Sequence, residues 1–267
     1  GKKSVGEAIG AIPTLGSMML AIGYTVVMGW IFKYCWMGIS GSLYALGTEM
    51  PSIGGAFGAT APEAATLGEA IGMMTSNGIF GIGNGVWQIV GLVVSLIIMA
   101  MGIAGGIEKA NKIMMPVLFF LFVALAIYIA TLPGASEGYK YIFTLNPAGL
   151  LNPQVWIFAF GQAFFSLSIT GSGMIVYGTY LSKKEDIPKA SMRTALFDTL
   201  AAVLAALAIM PAVFAFGIEP NSGPPLMFIT LPEVFRQMPM GQLFAVLFFL
   251  SVIFAGVTSL INMFEAV

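Results

Sequence analysis

The chain has 267 residues, of which 58% are hydrophobic and only 9% are charged, and its formal net charge is −1. Soluble domains usually carry about 25% charged residues, so this composition indicates a protein whose solvent is lipid. The near-zero net charge gives no sign of a nucleic-acid partner, and the absence of histidine removes the most common metal ligand. Cys35 is the single cysteine, which excludes a disulfide within the chain.

Six apolar runs are long enough to cross a bilayer, which takes about 20 residues of helix. They cover approximately 11–33, 83–104, 113–133, 154–181, 195–217 and 241–264. Their near-continuous apolarity, with no polar stripe, argues against a large soluble helical core. The sequence therefore predicts an all-α membrane protein with six transmembrane helices.

The connections between these runs contain two further predicted elements. Residues 63–74, in a long Gly/Ala/Thr/Pro-rich stretch, favour a short surface helix. In the loop 218–240, the segment LPEVFRQM favours a short external helix opened by Pro232. The chain starts at Gly1 and stops inside an apolar run, so we expect a single transmembrane fragment of a longer protein, cut at both ends.

The basic residues predict the orientation, because cytoplasmic loops are enriched in Lys and Arg. A cytoplasmic N-terminus places most of them inside, namely Lys2, Lys3, Lys109, Lys112, Lys183, Lys184, Lys189 and Arg193. Lys33, Lys140 and Arg236 then lie outside. We expect a multi-pass protein in the lipid bilayer of the inner (plasma) membrane, with both ends of this chain cytoplasmic.

The fourth run contains FFSLSITGSGMIVYGTY (164–180), whose middle is Ser, Thr and Gly almost throughout. In lipid, unwound backbone is tolerated only where it is buried in protein or lines a cavity. A helix broken here would present free carbonyls suited to a cation and free amides suited to an anion. The same small residues would also suit a close helix–helix interface, and composition alone does not separate the two interpretations.

Polar residues in other spans favour the broken helix. Asp198 lies early in the fifth run, and an intramembrane carboxylate is by default a functional candidate, unless it is solvated at the cytoplasmic end near Arg193. Thr258 and Ser259 are adjacent hydroxyls in the last run, although such hydroxyls often bond back to their own helix. Tyr24, in the first run, is by itself compatible with an ordinary buried tyrosine.

These residues in this order resemble the neurotransmitter:sodium symporter family, the sodium-coupled amino-acid and neurotransmitter transporters that include the bacterial leucine transporter. Five stretches carry the resemblance: GQAFFSLS (161–168), DTLAAVLAALAIMPAVFAFG (198–217), FITLPEVF (228–235), FAGVTSL (254–260) and GIEK (106–109). Together they correspond to the family's helices three to eight. The resemblance implies a leucine-transporter-type inverted-repeat fold with a discontinuous helix at 154–181, lacking helices one, two and nine onward.

The resemblance also implies two sodium sites. One would use the side chains of Ser166 and Asp198, and the other the carbonyl of Ala255 with the hydroxyls of Thr258 and Ser259. Members that need chloride usually have Asn at the helix-seven position and Ser one turn later, whereas this chain has Asp198 and Ala202. Because a fixed carboxylate would balance the sodium charge, chloride-independent transport is expected.

For the substrate, the resemblance matches Tyr24 to the tyrosine that bonds the carboxylate and Phe165 to the aromatic lid over the pocket. The other expected substrate-binding residues are Leu20, Ser166, Ser168, Thr170, Gly171, Ser259 and Met263. Gly171 stands where an aromatic residue is frequent, which predicts space for a larger side chain or a different packing partner such as Met263. Gln162 matches a glutamine near the family's chloride position, with a structural role equally open.

We therefore expect that the intact protein is not an enzyme and carries an amino acid inward by symport, with sodium as the coupling ion, no cofactor and no nucleic-acid partner. Without the missing helices of the same protein, the chain alone is expected to be inactive. One alternative is a proton-coupled amino-acid permease of the same fold, in which Asp198 carries the proton. Another is a non-transporting membrane scaffold whose Gly/Ser run is only a packing seam.

Overall fold

A computed structural model of the chain describes residues 3–46, 55–57, 84–102, 106–169, 173–217 and 223–267. Within these ranges the regular elements are helices, which agrees with the predicted all-α class. In chain order they are α1 (Lys3–Ser40), α2 (Ser42–Ala45), α3 (Gly85–Ala100), α4 (Glu108–Ala130), α5 (Ala135–Phe143), α6 (Pro147–Leu150), α7 (Pro153–Ser166), α8 (Gly173–Tyr180), α9 (Ile187–Ala215), α10 (Leu231–Gln237) and α11 (Gly241–Glu265). The surface helix predicted at 63–74 lies outside the described residues.

Among the described residues, four helices are long and apolar enough to cross a membrane: Gly10–Ser40 within α1, and the whole of α4, α9 and α11. They correspond to the first, third, fifth and sixth predicted runs, with shifted ends. The second run corresponds to α3, an apolar helix of 16 residues. The fourth run corresponds to α7 and α8 together. The order of the predicted spans therefore matches the structure, while two of them are not continuous helices of membrane-spanning length.

Helices α7 and α9 each begin after a residue whose side chain caps the helix, and each has a proline in its first turn. At the start of α7, Asn152 Oδ1 accepts a hydrogen bond from the backbone amide of Gln154 at 3.0 Å. At the start of α9, Asp186 Oδ1 accepts one from the Lys189 amide at 3.2 Å. A cap satisfies an otherwise free amide, and proline fits the first turn because it has no amide hydrogen. These local signals determine where both helices begin.

Helix α11 lies at the centre of the fold and packs against α1, α3, α4 and α10. Its Phe249 and Val257 belong to the hydrophobic core, together with Met28 and Tyr34 of α1. The two helices approach most closely at Gly256, where a Cβ would overlap the Met28 sulfur. Glycine at this position therefore allows the first and last helices to share one interface.

The connection before α11 is packed onto this core. The short helix predicted in it is α10, with Pro232 in its first turn, and a π-helical turn at Leu226–Thr230 leads into it. Phe228 of this turn is buried and lies edge-on to the Trp30 ring, with 5.7 Å between ring centroids. The connection thus covers the interface between α1 and α11 near Trp30.

Helix α5 lies against α9. Gly138 of α5 rests directly on the Pro211 backbone, where a Cβ would overlap main-chain atoms. Tyr141 of α5 contacts the Phe214 ring at a centroid distance of 5.2 Å. These contacts fix the C-terminal half of α9, whose N-terminal half carries Asp198.

Candidate substrate and sodium site

The predicted discontinuous helix is interrupted between α7 and α8. At the end of α7, the Ser168 amide donates to the Phe165 carbonyl and the Ile169 amide to the Phe164 carbonyl, both at 3.0 Å. This pair of bonds is a Schellman helix end. Ser168 has a φ of 56°, in the left-handed region that glycine usually occupies at such ends. Residues 170–172 lie outside the described part, and the helix resumes as α8.

Ser166 and Asp198, predicted to share a sodium site, are in direct contact. The Ser166 hydroxyl donates to Asp198 Oδ1 at 2.6 Å, which joins the end of α7 to α9. The carbonyls of Ser166 and Leu167 accept no hydrogen bond from described residues, and carbonyl dipoles at a helix C-terminus favour positive charge. A carboxylate, a hydroxyl and open carbonyls at one point can bind a cation.

The residues predicted for the second sodium site bring three oxygens together on α11. The Thr258 hydroxyl donates to the Ala255 carbonyl at 2.8 Å, and the Ser259 hydroxyl donates to the same carbonyl at 3.0 Å. Both hydroxyls therefore bond back to their own helix, as such groups often do. Because each hydroxyl uses only its hydrogen in these bonds, its oxygen lone pairs remain available to a cation.

A cavity of about 260 Å³ lies beside the helix break, between α1, α7, α8, α9 and α11. The predicted residues at its wall are Leu20, Tyr24, Phe165, Ser166, Ser168, Asp198, Ser259 and Met263. Gln162 lies at the same wall. Of the remaining predicted residues, Ala255 and Thr258 do not line the cavity, and Thr170 and Gly171 lie outside the described residues.

The cavity has a charged corner and a polar wall. Asp198 is the only Asp, Glu, Lys or Arg among the described residues that line it. The side chains of Tyr24 and Ser259, which also line the cavity, are close enough for their hydroxyls to interact. Leu20 and Met263 add apolar surface to the wall. This arrangement suits a small molecule with a polar head and a less polar side chain.

Two polar residues of the cavity wall, Ser17 and Asn262, are absent from the predicted set. Ser17 is buried on α1. Asn262 is on α11, where its Oδ1 accepts a hydrogen bond from the Tyr177 hydroxyl of α8 at 2.6 Å. Helical spacing could have identified Asn262, because it follows Ser259 by three residues and so lies on the same face of α11.

The two halves of the broken helix are held differently. α8 is tied to α11 by the Tyr177–Asn262 bond and, one turn further on, by the Tyr180 hydroxyl, which donates to Glu265 Oε1 at 2.5 Å. By contrast, no residue of α7 is buried within the described structure, and Phe158 in its middle is 69% exposed. The serine–aspartate bond at its end joins α7 to α9.

Long apolar helices, a helix interrupted at mid-span and a polar cavity beside the interruption are features typical of the membrane-spanning part of secondary transporters. A family model described as the sodium:neurotransmitter symporter family matches residues 68–267. The chain belongs to this family, as the resemblance of its motifs predicted.

Curated relatives are sodium-dependent transporters by name. One from Bacillus subtilis, itself uncharacterised, is 36% identical over 244 residues, which are 91% of this chain and 50% of that protein. Another, from Haemophilus influenzae, is 40% identical over 192 residues, 70% of this chain and 42% of that protein. This chain therefore spans about half or less of the length of these relatives.

A solved structure confirms the predicted fold class. The crystal structure of MhsT in complex with L-phenylalanine matches this chain with a TM-score of 0.78 and 34% sequence identity. The match covers 96% of this chain and 54% of the MhsT chain. The described helices thus adopt the transporter fold that the motifs predicted, over nearly the whole chain.

Proposed function

We propose that the intact protein containing this chain is a sodium-coupled symporter of an amino acid. The observation that carries the proposal is the helix break beside the cavity, where open carbonyls of α7 lie next to the Ser166–Asp198 pair. A cation at this corner meets a full negative charge and fixed backbone dipoles. A substrate in the adjoining cavity binds next to that cation, so that each increases the affinity for the other.

The proposed roles are those that the family resemblance implies. Ser166 and Asp198 bind one sodium ion, and Ala255, Thr258 and Ser259 bind a second. The substrate carboxylate bonds the Tyr24 hydroxyl, and Phe165 covers the pocket. The remaining proposed substrate contacts are Leu20, Ser166, Ser168, Thr170, Gly171, Ser259 and Met263. The names of the relatives support sodium as the coupling ion, and the L-phenylalanine bound to MhsT supports an amino-acid substrate.

Transport is proposed to be independent of chloride. A bound sodium ion in a low-dielectric site needs a compensating charge. Asp198 supplies that charge permanently at the position where its carboxylate contacts Ser166. A mobile anion is therefore not required for neutrality. The chain alone, which spans about half of its relatives, is proposed to be inactive.

Uptake by the purified intact protein in proteoliposomes tests these proposals. Sodium-driven accumulation of labelled neutral amino acids is expected, and it should persist when chloride is replaced by gluconate. Uptake that is unchanged when choline replaces sodium would instead favour the proton-coupled permease, with Asp198 as the proton carrier. Uptake that stops in gluconate would contradict chloride independence alone.

A substitution at the cavity wall separates transport from a scaffold role. Gly173 lines the cavity, and the nearest atom to a Cβ there is Ser168 Cβ at 4.0 Å. Gly173→Leu adds a bulky side chain at the cavity wall, where its Cβ meets no close contact, and should abolish substrate binding. Gly10→Leu, at the start of α1 with no atom within 4 Å of a Cβ, is the control and should bind normally. Binding that survives Gly173→Leu would favour the scaffold or a different site.

A further inference from the structure

Two polar residues outside the predicted set, Ser17 and Asn262, contribute to the cavity wall. Asn262 lies one turn beyond Ser259 on α11, and the Ser259 hydroxyl is close to that of Tyr24. One helical turn is about 5.4 Å, which is comparable to the length of an amino-acid side chain. The side chain of an amino acid whose carboxylate bonds Tyr24 would therefore come within reach of Asn262.

Asn262 is oriented by a neighbour and keeps free donors. The Tyr177 hydroxyl occupies its Oδ1 at 2.6 Å, which holds the carboxamide in place. A carboxamide nitrogen carries two N–H donors. Among the described residues, no acceptor is hydrogen-bonded to Asn262 Nδ2. A polar group that is placed in a membrane helix without a full set of partners is a candidate ligand contact.

The described cavity wall carries no positive charge that would select an acidic side chain. No Lys or Arg is among the described residues that line it. An acidic side chain would be desolvated without a counter-ion, which is unfavourable. The donors of Asn262 are instead matched by a neutral acceptor, such as a carboxamide oxygen or a hydroxyl.

We propose that Asn262 determines specificity by donating a hydrogen bond to an acceptor near the end of the substrate's side chain. This inference rests on the proposed amino-acid symport and names its substrate class: neutral amino acids with a polar side-chain terminus, represented by glutamine and tyrosine. Their apolar counterparts of similar size, methionine and phenylalanine, leave the Asn262 donors unpaired. A site built to pair a polar group discriminates strongly against an analogue that lacks it.

The test is sodium-dependent uptake by the intact protein in proteoliposomes, with unlabelled amino acids as competitors. For the wild type, glutamine should compete at least about tenfold better than methionine, and tyrosine at least about tenfold better than phenylalanine. Asn262→Leu should reduce both ratios to one or below. Tyr177→Phe, which removes the bond that orients the carboxamide, should lower both ratios part of the way.

Each ratio is measured within one variant, so differences in expression or folding yield cancel. Gln154→Leu, an exposed polar-to-Leu change in the first turn of α7, is the matched control and should keep the wild-type ratios. Equal competition by the paired amino acids in the wild type, or unchanged ratios in Asn262→Leu, would overturn the specificity role while leaving amino-acid symport intact. If no amino acid is taken up with sodium, the proposed function fails and the specificity role fails with it.

Discussion

At the scale of single residues, the contact between Ser166 and Asp198 carries the ion-binding hypothesis. Asp198→Asn keeps the shape of the side chain and removes its charge. We expect the sodium concentration for half-maximal uptake to rise about tenfold, because the lost interaction with the cation is of the order of 1.4 kcal/mol. The measurement is the sodium dependence of amino-acid uptake by the intact protein.

Asp186→Asn is the matched control for this change. It removes the same charge from the start of the same helix, and asparagine caps a helix as well as aspartate does. The Asp186 cap of the Lys189 amide should therefore survive, and the sodium dependence should stay at the wild-type value. Equal effects of the two substitutions would mean that general electrostatics, and not a ligand contact, explains the result.

Ser168 offers a second residue-scale prediction, because its φ of 56° is unfavourable for residues with a side chain. Ser168→Gly should remove this strain and leave sodium-dependent substrate binding intact, because the family resemblance matches Ser168 to a substrate contact made by the backbone of helix six. Ser168→Val places a β-branched residue in the same conformation and should destabilise the helix end by about 1–3 kcal/mol. Thermal melting and substrate binding of the intact protein measure both effects.

The contrast between the two Ser168 variants is the decisive readout. If the Ser168→Gly and Ser168→Val proteins behave alike, the left-handed helix end is not maintained in the intact protein. If the Ser168→Val protein binds substrate normally, the backbone conformation of residue 168 does not matter for the site.

Some of the site residues can be predicted from local sequence motifs, whereas others depend on contacts between residues far apart along the chain. Ser166 and Asp198 were predictable because each stands in a recognisable local motif. Helical spacing could have placed Asn262 on the Ser259 face, but its orientation could not be predicted, because its partner Tyr177 is 85 residues away along the chain and on a different helix. Sequence motifs were thus enough to propose ion-binding residues, whereas the orientation of Asn262 required the packing of α8 on α11.

At the scale of elements, composition located the interruption of the fourth span but did not explain it. Gly and Ser suit both a helix break and a close helix interface. What separates the two is the backbone at Ser168, which turns left-handed and ends α7. The length of α3 was also overestimated from apolarity, because its predicted run reached from 83 to 104 and the helix ends at Ala100.

The packing of α5 on α9 provides a prediction at this scale. A Cβ at Gly138 would overlap the Pro211 backbone, and main-chain atoms on both sides cannot move aside. Gly138→Ala should therefore lower the melting temperature of the intact protein, with a loss of about 1–3 kcal/mol, even though alanine is the better helix former.

Gly149→Ala is the control on the same side of the fold. The nearest atom to a Cβ there is in the Asn146 side chain at 3.8 Å, an ordinary contact, so stability should be unchanged or slightly higher. A melting temperature for Gly138→Ala at or above that of the wild type would show that α5 does not rest on α9 in the intact protein.

At the scale of the whole molecule, the distribution of Lys and Arg predicts the orientation of the protein in the membrane, which local packing does not. Lys183 and Lys184 lie in the short turn between α8 and α9, whereas α5 lies at the opposite end of α9. The positive-inside rule therefore places the α8–α9 turn in the cytoplasm and α5 outside.

Labelling of single cysteines in cells by a membrane-impermeant maleimide tests this orientation in the intact protein. Cys35 is buried and is replaced by alanine, as is any other cysteine, before a new one is introduced. Ser136→Cys, exposed on α5, should react in intact cells, and Ser182→Cys, exposed before α9, should react only after permeabilisation. The reverse pattern would invert the topology and place the Tyr180–Glu265 contact, which ties α8 to α11, at the outer surface.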